Sequence, residues 1–282
     1  MRVLDRVSMP SRLREFVAFG IKEAQSCVFA GSFFFLLFIS TQVQFDAIAR
    51  YDLILIGAVL IQIVLLATGI ETRDELKMIA AFHVIGLVLE LYKTHPSIGS
   101  WSYPEDGFTK IAGVPLYSGF MYSAVGSYVA QAWRRLDLQM VRYPNRGLTI
   151  FLCIAIYVNF FTNHFLWDAR YLLIFAVVAV FSRSRVYFTP LNRTYWMPVW
   201  VSFGLIGFFV WVAENISTFF GAWQYPNQAL GWDVVEPNKL VSWALLVILS
   251  VVLIAELRLT KDGTINSIGR SRGRPVGTTS LL

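Results

Sequence analysis

The chain has 282 residues, is 56% hydrophobic and only 15% charged, and carries a net charge of +6 at a mean hydropathy of +0.57. A soluble domain of this length does not combine so little charge with long unbroken apolar runs, so the composition excludes an ordinary soluble enzyme and points to a membrane protein. The basic excess does not read as a nucleic-acid footprint, because it follows a membrane-side pattern along the chain.

Residues 1–24 hold Arg2, Arg6, Arg12, Arg14 and Lys22 and lack a compact apolar core, so they do not read as a signal peptide. Within them, 11–24 reads as a short amphipathic helix on the cytoplasmic surface. Eight apolar runs follow, at 25–42, 52–70, 76–93, 113–133, 147–166, 168–183, 196–214 and 238–257. They predict an all-α, polytopic, multi-pass protein of about eight transmembrane helices. With the N-terminus inside, nineteen of the 24 Lys and Arg fall on the cytoplasmic side. Only Arg50, Lys93, Lys110, Arg170 and Lys239 fall outside. This asymmetry places both termini in the cytoplasm, and the expected location is the bacterial cytoplasmic (inner) membrane. The basic tail, 258–282, reads as disordered and resting on anionic headgroups. Cys27 and Cys153 sit inside predicted spans as small apolar fillers, with no disulfide framework.

The chain also repeats itself. Gly99-Ser100-Trp101-Ser102-Tyr103-Pro104 recurs as Gly221-Ala222-Trp223-Gln224-Tyr225-Pro226, 122 residues later. Each copy follows an apolar segment ending in a glutamate, Glu90 or Glu214. A second pair, Asp46 with Arg50-Tyr51 and Asp168 with Arg170-Tyr171, recurs at nearly the same offset. The expected organisation is a first four-helix repeat at 25–134, a cytoplasmic linker at 135–146 and a second four-helix repeat at 147–257. Four spans per unit make the repeats parallel, related by a pseudo-two-fold axis along the membrane normal. Both long loops, about 94–112 and 215–237, carry the hexapeptide and lie on the outer face, where Gly and Pro imply a defined turn.

Glu90 and Glu214 are the candidate catalytic residues. A carboxylate at the end of an apolar span is costly unless paired, protonated or facing a wet cavity, and it can then serve as an acid or base. Trp101, Tyr103, Trp223 and Tyr225 are candidate ligand-binding residues, as interfacial anchors or as the walls of a site. Asp46, Arg50, Asp168 and Arg170 would form local or inter-repeat ion pairs with Asp or Glu, or capture an anionic headgroup or substrate carboxylate. His83 and His164 are candidate cavity-lining residues; a metal site from His83, Glu90, His164 and Asp168 has no recognised spacing, and no metal is assigned. No phosphate-cradling loop, nucleotide fingerprint, nucleophile elbow or histidine box is present, so no cofactor is expected.

The stretch from Glu90 through Gly99–Pro104 to Gly113-Val114-Pro115-Leu116 resembles a YoaT-type family of bacterial membrane proteins of unknown function. So does Glu214 through Trp223-Gln224-Tyr225-Pro226 to Trp243. This resemblance implies a polytopic membrane protein and no activity. The first stretch is also similar, over about 30 residues, to the bisanhydrobacterioruberin hydratases of carotenoid biosynthesis, which implies an isoprenoid-like ligand and addition of water without a cofactor. The reading is a protein in the lipid bilayer that binds a hydrophobic or amphiphilic small molecule near the outer leaflet. Nucleic acid is not an expected partner. The alternatives are a small-solute transporter or channel with a paired Asp/Arg/Glu gate, and a membrane scaffold without ligand.

Overall fold

The computed structural model describes residues 9–43 and 46–261, so the expectations for the first eight residues and for most of the basic tail lie outside the described residues. The chain is mostly helical. Among the described residues a helix, α1 (Ser11–Ser26), precedes eight others: α2 (Val28–Gln42), α3 (Arg50–Ala67), α4 (Arg73–Lys93), α5 (Ser118–Arg135), α6 (Arg146–Thr162), α7 (Arg170–Phe181), α8 (Val199–Phe219) and α9 (Lys239–Lys261). Each of the eight apolar runs thus contains one helix. Among the described residues only α3 and α8 are long and apolar enough by themselves to cross a membrane; α1 and α2, bent by 60° at Cys27, would add a third as one broken span. The shortfall against eight has physical causes. α7 has 12 residues, about 18 Å against a hydrocarbon core of about 30 Å. α4 begins with Arg73, Asp74, Glu75 and Lys77 and ends with Glu90 and Lys93.

The purely α expectation is corrected by two small sheets. Strands β1 (Lys110–Ile111) and β2 (Val114–Pro115) form a hairpin in the first long loop. Strands β3 (Gln139–Val141), β4 (Arg185–Phe188) and β5 (Tyr195–Pro198) form an antiparallel sheet in that order. Thus the predicted linker 135–146 contains an edge strand, β3. The sheet also seats α1: Glu15 accepts amide N–H bonds from Leu191 (3.2 Å) and Asn192 (3.1 Å), and the Lys22 ammonium donates to the Thr189 carbonyl at 2.9 Å.

Local chemistry explains several helix starts. Thr72 and Glu75 form a reciprocal capping box ahead of α4, and Asn145 caps α6 through the amides of Gly147 and Leu148. α8 ends in a Schellman motif: Gly221, at φ +67°, donates to Thr218, and Ala222 donates to Ser217. Its counterpart in the first hexapeptide, Gly99, also has a left-handed φ, of +58°.

Close helix packing rests on small residues. A Cβ at Gly86 of α4 would lie 2.3 Å from the Tyr122 ring of α5, and one at Gly207 of α8 would lie 2.9 Å from the Ala244 backbone of α9. The buried core has two parts. One gathers side chains of α6, α7, α8 and α9 with Phe82 and Val129. The other combines α2, α3 and Tyr117 with Ala222, Trp223, Tyr225 and Val235 of the second long loop. The outer faces of α3, α6, α7 and α8 leave large apolar side chains exposed, among them Leu60, Phe151, Phe175 and Phe209.

Candidate functional site

Glu90 and Glu214 are both buried, and each closes a fan of neutral aromatic donors. Glu90 accepts on Oε2 from Trp101 Nε1 (2.7 Å) and the Tyr103 hydroxyl (2.8 Å), and on Oε1 from the Tyr122 hydroxyl (2.9 Å). Glu214 accepts on Oε1 from the Tyr225 hydroxyl and on Oε2 from Trp243 Nε1 (2.5 Å). Burial, reinforced by the adjoining carboxylate, pushes the Tyr103 and Tyr225 phenols well above their ordinary value, so both remain protonated donors. The two fans interlock. Trp101 meets Tyr225 edge-on at 6.0 Å between ring centroids, and Tyr122 lies 6.5 Å from Trp243.

The loops that deliver these donors are built on buried side chains. Asp52 gathers the amides of Phe108 and Thr109, each at 2.8 Å, and the Thr109 hydroxyl. Lys110 donates to the carbonyls of Tyr103 (2.9 Å) and Glu105 (2.8 Å). In the second loop, Asn215 accepts from the Val235 amide at 3.0 Å and Gln228 from the Tyr225 amide at 3.2 Å. The hexapeptides then pair with each other. Ser102 and Gln224 form an isolated antiparallel bridge, with N–H···O=C bonds of 2.9 Å in both directions. They are the same position in the two copies, so the bridge sits where a two-fold relating the copies would pass.

A cavity of about 850 Å³ opens beside this bridge. Its middle is walled by Glu90, Trp101, Tyr122, Glu214, Tyr225 and Trp243. One end is basic, with Lys93, His164, Arg170 and Lys239. Towards the other end Phe16, Phe19 and Gly20 of α1 and Val186 and Phe188 of β4 close it, with Glu23 and Tyr128 hydrogen-bonded at 2.9 Å. Most of the remaining lining is apolar, a composition typical of sites for apolar ligands with a few convergent polar groups.

The sequence candidates divide accordingly. Glu90, Glu214, Trp101, Trp223, Tyr225, Arg170 and His164 line the cavity, and Tyr103 stands behind its wall as a donor to Glu90. Trp223 does not repeat the role of Trp101; Trp243 of α9 bonds Glu214 instead. Asp46 is exposed and is not among the bonding partners of Arg50. Arg50 pairs with Glu105 and donates to Ser40 (3.0 Å), the Phe220 carbonyl and the Gly221 carbonyl (3.2 Å), so it ties α3 to the second loop. Asp168 does pair with Arg170, at 2.5 Å, with Asn159 bonding the same carboxylate. His83 is away from the cavity, packed on Phe120 at 4.6 Å, although helical spacing puts it on the same broad face as Glu90. Among the described residues no three His, Cys, Asp or Glu side chains come together as a metal cluster. Sequence reasoning missed Tyr122, Trp243, Lys93 and Lys239. One signal was available: Tyr122 and Trp243, like Gly86 and Gly207, stand 121 residues apart, the period of the hexapeptides to within one residue.

A family model described as a protein of unknown function, DUF817, matches residues 15–251. Over 250 residues the chain is 49% identical to the uncharacterized protein YoaT of Bacillus subtilis (strain 168), covering 89% of this chain and 94% of that protein. No solved structure matches the chain.

Proposed function

The chain belongs to the DUF817 family of proteins of unknown function, and from that premise we propose that it is a multi-pass protein of the bacterial cytoplasmic membrane that binds a hydrophobic or amphiphilic ligand between two parallel four-helix repeats. The observation that carries this reading is a largely apolar cavity of about 850 Å³ on whose wall both carboxylate fans stand. The exposed apolar faces of α3, α6, α7 and α8 support the membrane setting, since soluble surfaces rarely leave such belts uncovered. The bridge between Ser102 and Gln224 supports the pseudo-two-fold arrangement. In this reading α2 to α9 are the eight membrane helices, the short α7 is accommodated by local thinning, and both termini face the cytoplasm. Trp101, Tyr122, Tyr225 and Trp243 contact the ligand. Glu90 and Glu214 are the groups that move a proton if the ligand is chemically changed, because a buried carboxyl held by neutral donors is suited to that work. Aromatic faces around them would stabilise cationic charge developing on an isoprenoid-like chain.

The test is native mass spectrometry with lipid extraction on protein purified gently from membranes. Wild-type protein is expected to retain an apolar or amphiphilic molecule that a Trp101→Ala/Trp243→Ala variant of equal helicity has lost. A wild-type protein that carries nothing, yet moves an unaltered solute into proteoliposomes, would overturn ligand binding in favour of transport.

A further inference from the structure

We propose that the ligand is an anionic amphiphile whose acidic headgroup is held among Lys93, His164, Arg170 and Lys239, with its apolar chain lying along the cavity between the two halves. The inference rests on the cavity being a ligand site and specifies which class of ligand it takes. Lys93 is only 3% exposed. Its ammonium has neutral neighbours: Asn163 Oδ1 at 3.2 Å, His164 Nε2 at 2.9 Å and the Phe160 ring at 4.2 Å. Lys239 lies 4.8 Å above the Tyr225 ring. The ion pairs formed by the described residues include neither lysine. Arg170 has Asp168, but that bond occupies only its Nε and leaves the terminal nitrogens of the fork.

Three cations and a histidine therefore face three acids, Asp168, Glu214 and Glu236, but Asp168 is bonded to Arg170, Glu236 is exposed, and none of the three forms an ion pair with Lys93 or Lys239. Glu214 is near enough to act on Lys239 electrostatically, but its oxygens are already taken by Tyr225 and Trp243. A buried cation without a counter-charge is costly, and a bound oxyanion removes that cost through charge-assisted bonds. A free anion would fill only this end of the cavity. The wall beyond it, with Val125, Val129, Ile206, Val210 and Leu246, offers an alkyl or isoprenoid chain an apolar path.

The cavity tryptophans supply the readout. Full-length protein in nanodiscs of zwitterionic lipid is titrated with a brominated C18 carboxylate and with the corresponding brominated alcohol, following the part of the quenching due to the cavity residues Trp101, Trp133, Trp223 and Trp243, obtained by subtracting the quenching of a variant with all four as Phe. The carboxylate is expected to bind at least about tenfold more tightly than the alcohol, and a Lys93→Gln/Lys239→Gln variant should lose that preference while still binding the alcohol. Equal affinity of the two in wild-type protein overturns the headgroup assignment and leaves the apolar ligand site standing. Saturable quenching by neither overturns the ligand site itself. Full displacement of the carboxylate by inorganic phosphate at equal concentration would identify a free-anion site and overturn the amphiphile. The wild-type comparison decides even where the double variant fails to fold.

Discussion

Gly86 determines how Glu90 is held. It stands one helical turn before Glu90 on α4, and the Tyr122 ring rests on it while the hydroxyl reaches the carboxylate. Gly86→Ala would drive a methyl group into that ring, so a loss of about 1–3 kcal/mol is expected from overpacking, together with loss of the Tyr122 bond. Thermal unfolding in detergent checks it against Gly204→Ala, where a Cβ meets nothing within 4 Å; equal midpoints for the two would contradict the packing argument. At this scale the sequence was partly legible. Glu90, Glu214, Trp101, Tyr103 and Tyr225 were found because their motifs recur in order. Tyr122 and Trp243 were not, because an aromatic residue inside an apolar helix looks the same whether it packs or donates a hydrogen bond. Arg50 was expected to pair with an unspecified Asp or Glu, locally or across the repeats; the fold brings Glu105 and the carbonyl end of α8 to it.

Among the elements, α1 is the one whose role only the structure reveals. Its amphipathic pattern predicted a surface helix, and residues 11–26 are helical. Phe19, however, reaches the cavity, with the largely exposed Phe16 at its rim, and Glu15 latches the helix to the turn between β4 and β5. Glu15→Ala is expected to free the amides of Leu191 and Asn192, raising their hydrogen exchange by about tenfold for a loss of roughly 1.4 kcal/mol. Unchanged exchange there would show that the latch contributes nothing. The eight apolar runs each contain a helix because long apolar stretches need intrahelical backbone bonds. The three-stranded sheet was not legible, since strands of three or four residues fall below any periodic signal. Val186, Tyr187, Phe188, Tyr195 and Trp196 do have strand-forming side chains, but the first four lie in what reads as a connection between spans and Trp196 at the start of an apolar run.

For the whole molecule, the second loop is packed into the core of the first half: Ala222, Trp223 and Tyr225 lie among Phe33, Tyr51 and Tyr117. In the proposed reading the halves share one site: Trp101 bonds Glu90 while touching Tyr225, the donor to Glu214, which couples the two fans. This coupling was hidden in the sequence, where two copies of one motif suggest two copies of one site. The central claim, that the paired carboxylates serve one shared ligand cavity, is tested most directly by the stoichiometry of bound ligand in native mass spectra of wild-type, Glu90→Gln and Glu214→Gln protein. One ligand per chain is predicted, with occupancy falling in both single variants. Two ligands per chain in wild-type protein, with one retained in each variant, would contradict the claim.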